Sequence, residues 1–139
     1  MRYTGRKVVE EPVSLRGVVA SIRWHLMFRV QSERAARLQL KRAGARIGRP
    51  LEVLGCKKYW KIPELWECDA RSQIGAGTTA ERIVASFQDA NALAQGWYIL
   101  GPYLDKRGRF ESLSGVFNVP TGGRALVNSL EWAEFELLM

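Results

Sequence analysis

The sequence has few of the residues from which metal sites and many catalytic sites are built. It contains one histidine, His25, and two cysteines, Cys56 and Cys68, which are separated by twelve positions with no C-x-x-C pair. The ligands of a three-histidine catalytic zinc ion or of a structural zinc ion are therefore missing, and no metal or other cofactor is predicted. We expect both cysteines to be reduced thiols, with a disulfide between them as the alternative.

Long apolar runs and secretion signals are also lacking. The most apolar stretch, residues 15–30, still holds three arginines and the histidine, so no segment resembles a membrane-spanning helix. The first residues, MRYTGRKVVEE, contain no apolar core followed by a cleavage site. We therefore expect a cytoplasmic protein with no membrane partner.

Glycine-rich phosphate-binding motifs are missing as well. The segment GAGTT, Gly75 to Thr79, matches neither G-x-G-x-x-G nor the P-loop, and we interpret it as a hairpin turn. The alternation over residues 82–87 predicts a short strand. A helix over 87–95 is predicted to follow, capped by Ser86 and ended by Gly96, and Asp89 at its start would repel a phosphate. This region is interpreted as scaffold.

Positive charge is abundant, but it is concentrated in the first part of the chain. Of the 139 residues, the first 50 hold twelve Lys and Arg against three Glu, a net charge of +9, whereas the remainder has a net charge of −2. Such asymmetry is typical of a surface for nucleic acid or for an acidic partner. The alternative is a solvated basic face without a partner.

The hydrophobic pattern predicts an α+β fold with N-terminal helices, a mainly antiparallel sheet and one further helix. Apolar residues at helical spacing indicate a helix from Ser14 to Val30, and SERAARLQLKRAG indicates a second one that ends at Gly44. From residue 51 alternation predicts strands, including KKYWKI and ELWECDARSQI, and DKRG is predicted to be a turn at Gly108. The expected organisation is a single domain, 1–139, with a basic helical part over 1–50 and a sheet-rich part over 51–139 that contains helix 87–95.

Two groups of carboxylates stand beside tryptophans on predicted strands. Strand alternation puts Glu67 and Asp69 on the face opposite Trp66, and it puts Trp132 on one face with the glutamates that follow it. Aromatic anchors with flanking charges suit a protein interface. The predicted partner-binding residues are Trp66, Glu67, Asp69, Trp132, Glu134 and Glu136.

Two other functions compete with protein binding. The second predicted helix is basic around much of its circumference, so nucleic acid could bind there through Arg34, Arg37, Lys41 and Arg42. A metal-independent ribonuclease could use His25 with Arg23 or Arg29 as a phosphate clamp. The sequence identifies no second acid or base, so we interpret His25 as a core or boundary residue and predict no catalytic residues.

The segments WECDARS, ASFQDANALAQGWYI and SLEWAEFEL together resemble small immunity proteins of bacterial contact-dependent growth inhibition systems. The resemblance covers about residues 51–139 and involves no shared motif. It implies a cytoplasmic, non-catalytic protein that binds one cognate toxin domain, commonly a nuclease, and blocks it. The predicted function is therefore specific protein binding, with a cognate protein toxin as the partner and nucleic-acid binding as the alternative.

Overall fold

The computed structural model describes residues 20–139, and its first element is the strand β1 (Ala20–Arg29). Alternate side chains from Ala20 to Phe28 are buried, whereas Arg23 and Arg29 are exposed. A period of two is that of a strand with one buried face. The predicted first helix is therefore wrong over residues 20–30, and the rest of it lies outside the described residues.

Sheet dominates the rest of the described chain, so the predicted fold class, with helices leading into the sheet, is wrong. The elements after β1 are α1 (Glu33–Ile47), β2 (Glu52–Lys58), β3 (Leu65–Ile74), α2 (Thr79–Leu93), β4 (Ala94–Gln95), β5 (Tyr98–Leu104), β6 (Phe110–Asn118), a 3-10 turn (Val119–Thr121), β7 (Arg124–Ala125) and β8 (Leu130–Leu138). Six strands form one antiparallel sheet in the order β2-β3-β1-β8-β6-β5, and β4 pairs with β7. Neither helix in the described range has the length and apolar character needed to cross a membrane.

Helix α1 is the second predicted helix, and its start is confirmed. The hydroxyl of Ser32 accepts a hydrogen bond from the backbone N–H of Ala35 at 3.1 Å, which satisfies one of the free donors at a helix start. The helix continues past the predicted stop at Gly44 and ends at Gly48, whose φ of 82° suits glycine. Gly44 is buried where the chain turns back, so a Cβ there would lie 3.2 Å from the carbonyl oxygen of Arg49.

Helix α2 begins where a turn and a strand were predicted, so both of those predictions are wrong. Thr78 and Glu81 form a capping box: the Thr78 hydroxyl accepts from the N–H of Glu81, and the Glu81 carboxylate accepts from the N–H of Thr78. The predicted helix 87–95 is only the second half of α2. The buried stripe of α2 is largely polar, which hid the helix from the hydrophobic pattern, and it consists of Arg82, Ser86, Asp89, Ala90 and Leu93.

Several predictions for the sheet-rich part are confirmed. ELWECDARSQI forms β3, Gly96 precedes β5 with a φ of 89°, and Gly108 makes the β5–β6 turn with a φ of 76°. The predicted strand KKYWKI is only partly present, because β2 ends at Lys58 and residues 59–64 form a loop.

Both helices pack on the same face of the sheet. Ala36 and Leu40 of α1 and Leu93 of α2 join one hydrophobic core with Trp24 and its neighbours on the sheet. The indole N–H of Trp24 donates to the hydroxyl of Ser72 at 2.9 Å, so this buried polar atom is satisfied. No described element covers the opposite face of the sheet. We call it the open face.

Gly115 tests how tightly the core face of β6 is packed. A Cβ at this position would lie 2.4 Å from Cε2 of Phe135 and 3.1 Å from Cδ1 of Ile99. Gly115→Ala should lower the free energy of unfolding by about 1–3 kcal/mol, because a close-packed core resists added volume. Urea denaturation followed by tryptophan fluorescence measures the change. Gly55→Ala is the matched control, because a Cβ there meets nothing within 4 Å, and equal stability of the two variants would contradict the packing argument.

A partly buried ion pair joins α2 to the segment that follows α1. Nε of Arg49 donates to a carboxylate oxygen of Asp89 at 2.8 Å, and only 6% of the Asp89 side chain is exposed. Burial raises the pKa of Asp89 above its ordinary value of 3.8, although the pair with Arg49 acts in the opposite direction. The folded protein therefore keeps this proton at a pH where the unfolded chain has released it.

This ion pair predicts a pH dependence of stability. Because the folded pKa is raised, the contribution of Asp89 to the free energy of unfolding should fall as pH rises from 3.8 through the folded pKa. Asp89→Asn should remove this fall. Arg49→Met should enlarge it and cost about 2 kcal/mol at neutral pH, because it leaves a buried carboxylate unpaired. Urea titrations between about pH 3.5 and 7 measure the free energy of unfolding of each variant. If Arg49→Met has the same pH profile as the parent, Arg49 does not stabilise the ionised carboxylate of Asp89.

Candidate functional site

The open face gathers charged and aromatic side chains from three adjacent strands. Because β1 lies between β3 and β8, residues that are distant in sequence become cross-strand neighbours. His25 of β1 is opposite Asp69 of β3 on one side and opposite Glu134 of β8 on the other. The site consists of Arg23, His25, Met27, Glu67, Asp69, Trp132, Glu134 and Glu136.

His25 is held at the centre of this face by two carboxylates. Its Nδ1 lies 2.6 Å from Oδ1 of Asp69, and its Nε2 lies 3.2 Å from Oε1 of Glu67. The His25 side chain is 26% exposed, so His25 is a boundary residue, which is one of the two predicted alternatives. The two contacts fix the orientation of its ring.

Trp132 provides the apolar part of the site. Its ring stands edge-on to the ring of His25, with centroids 5.5 Å apart and an interplanar angle of 79°. Across the strand pair it is opposite Met27, which is only 9% exposed although it lies on the open face. Trp132 is half-buried, so it combines a fixed position with surface that a ligand can cover.

These side chains enclose a shallow hollow with a negative rim. Its volume is about 370 Å3, and His25, Trp132 and Glu134 are among the residues that line it. The lining contains one arginine, Arg23, and three carboxylates, so negative charge is in excess. Among the described residues of the lining there is no Ser, Thr or Cys to act as a nucleophile. The hollow suits a cationic group better than a phosphate.

Five of the six predicted partner-binding residues lie together on the open face: Glu67, Asp69, Trp132, Glu134 and Glu136. Trp66 does not join them. It points to the helix side of the sheet, where it packs half-buried against the core beside Cys68.

Comparison with known proteins does not identify the site. No protein-family model, curated protein or solved structure matches the chain. The resemblance to immunity proteins therefore stays a prediction, and the site must be interpreted from its own geometry.

Sequence reasoning did not place Arg23, His25 and Met27 beside the predicted acidic residues. The signal that could have found them is the alternation of Ile22, Trp24, Leu26 and Phe28 with more polar residues, which predicts a strand. Once β1 is a strand, its odd-numbered residues belong to one face.

The predicted nucleic-acid-binding residues lie on α1, and Arg34, Arg37, Lys41 and Arg42 are all exposed. Nε of Arg37 donates to Glu33 one turn earlier at 2.8 Å. Arg37 and Lys41 also border a second hollow of about 460 Å3, between α1 and the start of β2, whose lining is largely apolar. Basic charge is thus displayed on the side of the protein away from the open face.

The β2–β3 loop carries an exposed tryptophan. Trp60 is 77% exposed, and Nζ of Lys61 lies 5.2 Å from the centre of its ring. Lys57 and Lys58 immediately precede the loop and are exposed. An exposed tryptophan among lysines is a feature of surfaces that stack on bases.

Within residues 20–139, no group of three or more His, Cys, Asp or Glu side chains has the arrangement of a metal site. His25 with Glu67 and Asp69 is therefore a hydrogen-bonded cluster. The chemistry available at the open face is charge complementarity combined with apolar contact.

Proposed function

We propose that this chain is a non-catalytic, cytoplasmic protein that binds a basic protein partner through the open face without a cofactor. The observation that carries the proposal is the half-buried Trp132, fixed against His25 in a hollow whose rim is acidic. Neutralisation of a cognate toxin domain, as in immunity proteins, is its concrete form. A nuclease toxin is a suitable partner, because nucleases present basic surfaces to their substrates.

In this site the tryptophan would provide most of the binding energy, and the carboxylates would select the partner. A tryptophan in a hollow gains affinity when the partner excludes water from it. Exposed rim carboxylates such as Glu134 and Glu136 contribute mainly to association rate and to the rejection of acidic partners.

Rigidity is the second support for a binding role. The site is built on three paired strands rather than on loops, and the His25 ring is fixed from both nitrogens. Little side-chain entropy is then lost on association, which preserves affinity for a given contact area.

The ribonuclease alternative fits this geometry less well. Glu67, Asp69 and Glu134 surround His25, so a phosphate beside this histidine would meet several negative charges. Arg29, one of the two proposed clamps, is held in a two-point ion pair with Glu131. Both features favour a non-catalytic role.

The proposal predicts that the acidic rim and Trp132 are required for partner capture. Trp132→Ala and the double variant Glu134→Lys/Glu136→Lys should each weaken partner affinity about tenfold or more, because they remove the apolar anchor and reverse the rim charge. The measurement is affinity capture from nuclease-treated extract of the source cells, followed by calorimetric titration of the captured protein. Expression of that protein should arrest cell growth, and co-expression of the parent chain should restore it.

The matched control is Glu64→Lys/Glu111→Lys, which makes the same change of net charge at two exposed positions that do not line the hollow. This control should bind like the parent, and circular dichroism should show that all variants are folded. If Glu134→Lys/Glu136→Lys binds and protects as well as the parent, the open face is not the interface. Loss of capture after nuclease treatment would favour the second candidate function.

The second candidate is binding of single-stranded nucleic acid by α1 and the β2–β3 loop. It is favoured by exposed Trp60 with Lys61 against its ring, together with the exposed cations on α1. Stacking of a base on an exposed aromatic ring is largely independent of sequence, and the cations would follow the backbone.

This candidate predicts a strong salt dependence that specific variants reduce. Arg34→Glu/Lys41→Glu/Arg42→Glu should reduce the slope of log affinity against log salt by about 2 for a labelled single-stranded oligonucleotide, since about 0.7 is lost per phosphate contact. Trp60→Ala should weaken binding about tenfold. Fluorescence anisotropy measures both. The control Lys106→Glu/Arg107→Glu/Arg124→Glu, at exposed positions elsewhere, should leave the slope unchanged, and an equal effect would refute a role for α1.

A further inference from the structure

The two cysteines of the chain meet across a strand pair. Cys56 of β2 is directly opposite Cys68 of β3, and their sulfur atoms are 2.7 Å apart, both as free thiols. Sulfur atoms at this separation are closer than ordinary non-bonded contact and need little movement to reach bonding distance. Directly opposed residues on antiparallel strands also have Cβ atoms near each other.

The surroundings of the pair give the two thiols different roles. Cys68 is fully buried, and burial together with the neighbouring Cys56 raises the pKa of its thiol. Cys56 is only partly buried, so it is the sulfur that a reagent reaches first. The guanidinium of Arg37 on α1 lies near the pair and acts electrostatically on Cys68.

We propose that Cys56 and Cys68 form a reversible disulfide, with a small-molecule disulfide such as oxidised glutathione as the oxidant. The thiolate of Cys56 attacks one sulfur of the oxidant, which expels one glutathione thiolate and leaves a mixed disulfide on Cys56. Cys68 then loses its proton to the expelled thiolate and attacks the sulfur of Cys56, which releases the second glutathione. Each protein sulfur is oxidised by one electron, and the glutathione disulfide is reduced to two thiols.

The bond would fasten the edge of the sheet. β2 is a terminal strand of the sheet, paired on one side only, with β3, and edge strands are the parts of a sheet that open most readily. The disulfide would close a short loop that contains Trp60 and would tie it to β3. Glu67 and Asp69 flank Cys68 in β3 and point to the open face, so oxidation would also hold one side of that site.

The test treats the purified, folded chain with oxidised glutathione and then measures its intact mass and, after unfolding, its free thiols. We expect a loss of two hydrogen atoms, no iodoacetamide-reactive thiol and recovery of both thiols with dithiothreitol. The melting temperature of the oxidised form should rise by about 5 °C, because a closed loop restricts the unfolded chain.

Variants separate the two steps. Cys68→Ala should accumulate the mixed disulfide on Cys56, whereas Cys56→Ser should remain unmodified because its one remaining thiol is buried. If the parent chain keeps two alkylatable thiols in excess oxidant, or if it stops at the mixed disulfide, the proposal is overturned.

Discussion

The register of β1 between its two neighbours is the constraint on which the rest of the structure depends. Trp24 is fully buried, is opposite Ala70 on one side and Phe135 on the other, and donates its indole N–H to Ser72. A slip by one residue would turn the tryptophan toward solvent and His25 into the core. The hydrogen bond to Ser72 adds a geometric requirement to the hydrophobic one, because an unsatisfied indole N–H in the core is costly. Burial of one side chain therefore also fixes where the polar residues of β1 point.

The sequence predicts an element correctly where its apolar pattern fits either the helical period or the strand period, but not both. Ile22, Leu26 and Val30 are spaced by four, which fits both a helix and a strand, and the segment was predicted to be a helix. β3 has no such ambiguity, since Trp66, Cys68 and Ala70 alternate with charged residues, and its prediction is confirmed. In α2 the inner stripe includes charged residues, so hydrophobicity misleads, and the capping box at Thr78 was the informative local signal.

The candidate site was predictable within single strands but not across them. Alternation correctly placed Glu67 with Asp69, and Trp132 with Glu134 and Glu136, on common faces. That these two groups meet on either side of His25 follows from β1 inserting between β3 and β8. This is a long-range pairing, and no local spacing encodes it because antiparallel neighbours in a sheet need not be consecutive in the chain. Trp66 was grouped with the acids by sequence proximity, whereas its odd or even position in the strand decides its face.

Strand β3 connects the two surfaces of the molecule because consecutive residues point in opposite directions. Glu67 and Asp69 hold His25 on the open face, while Cys68 between them meets Cys56 on the helix side. If β3 moves relative to β2, the thiol of Cys68 and the carboxylates of Glu67 and Asp69 therefore move together. The two edges of the sheet are not equivalent in this respect. β5 contains Pro102 and has an irregular register with β6, and both features hinder further strand pairing. β2 contains no proline; its register with β3 shifts between Val53 and Gly55, and it also contacts α1. The β2 edge places two thiols opposite each other, so it is the edge at which a covalent bond between neighbouring strands can form.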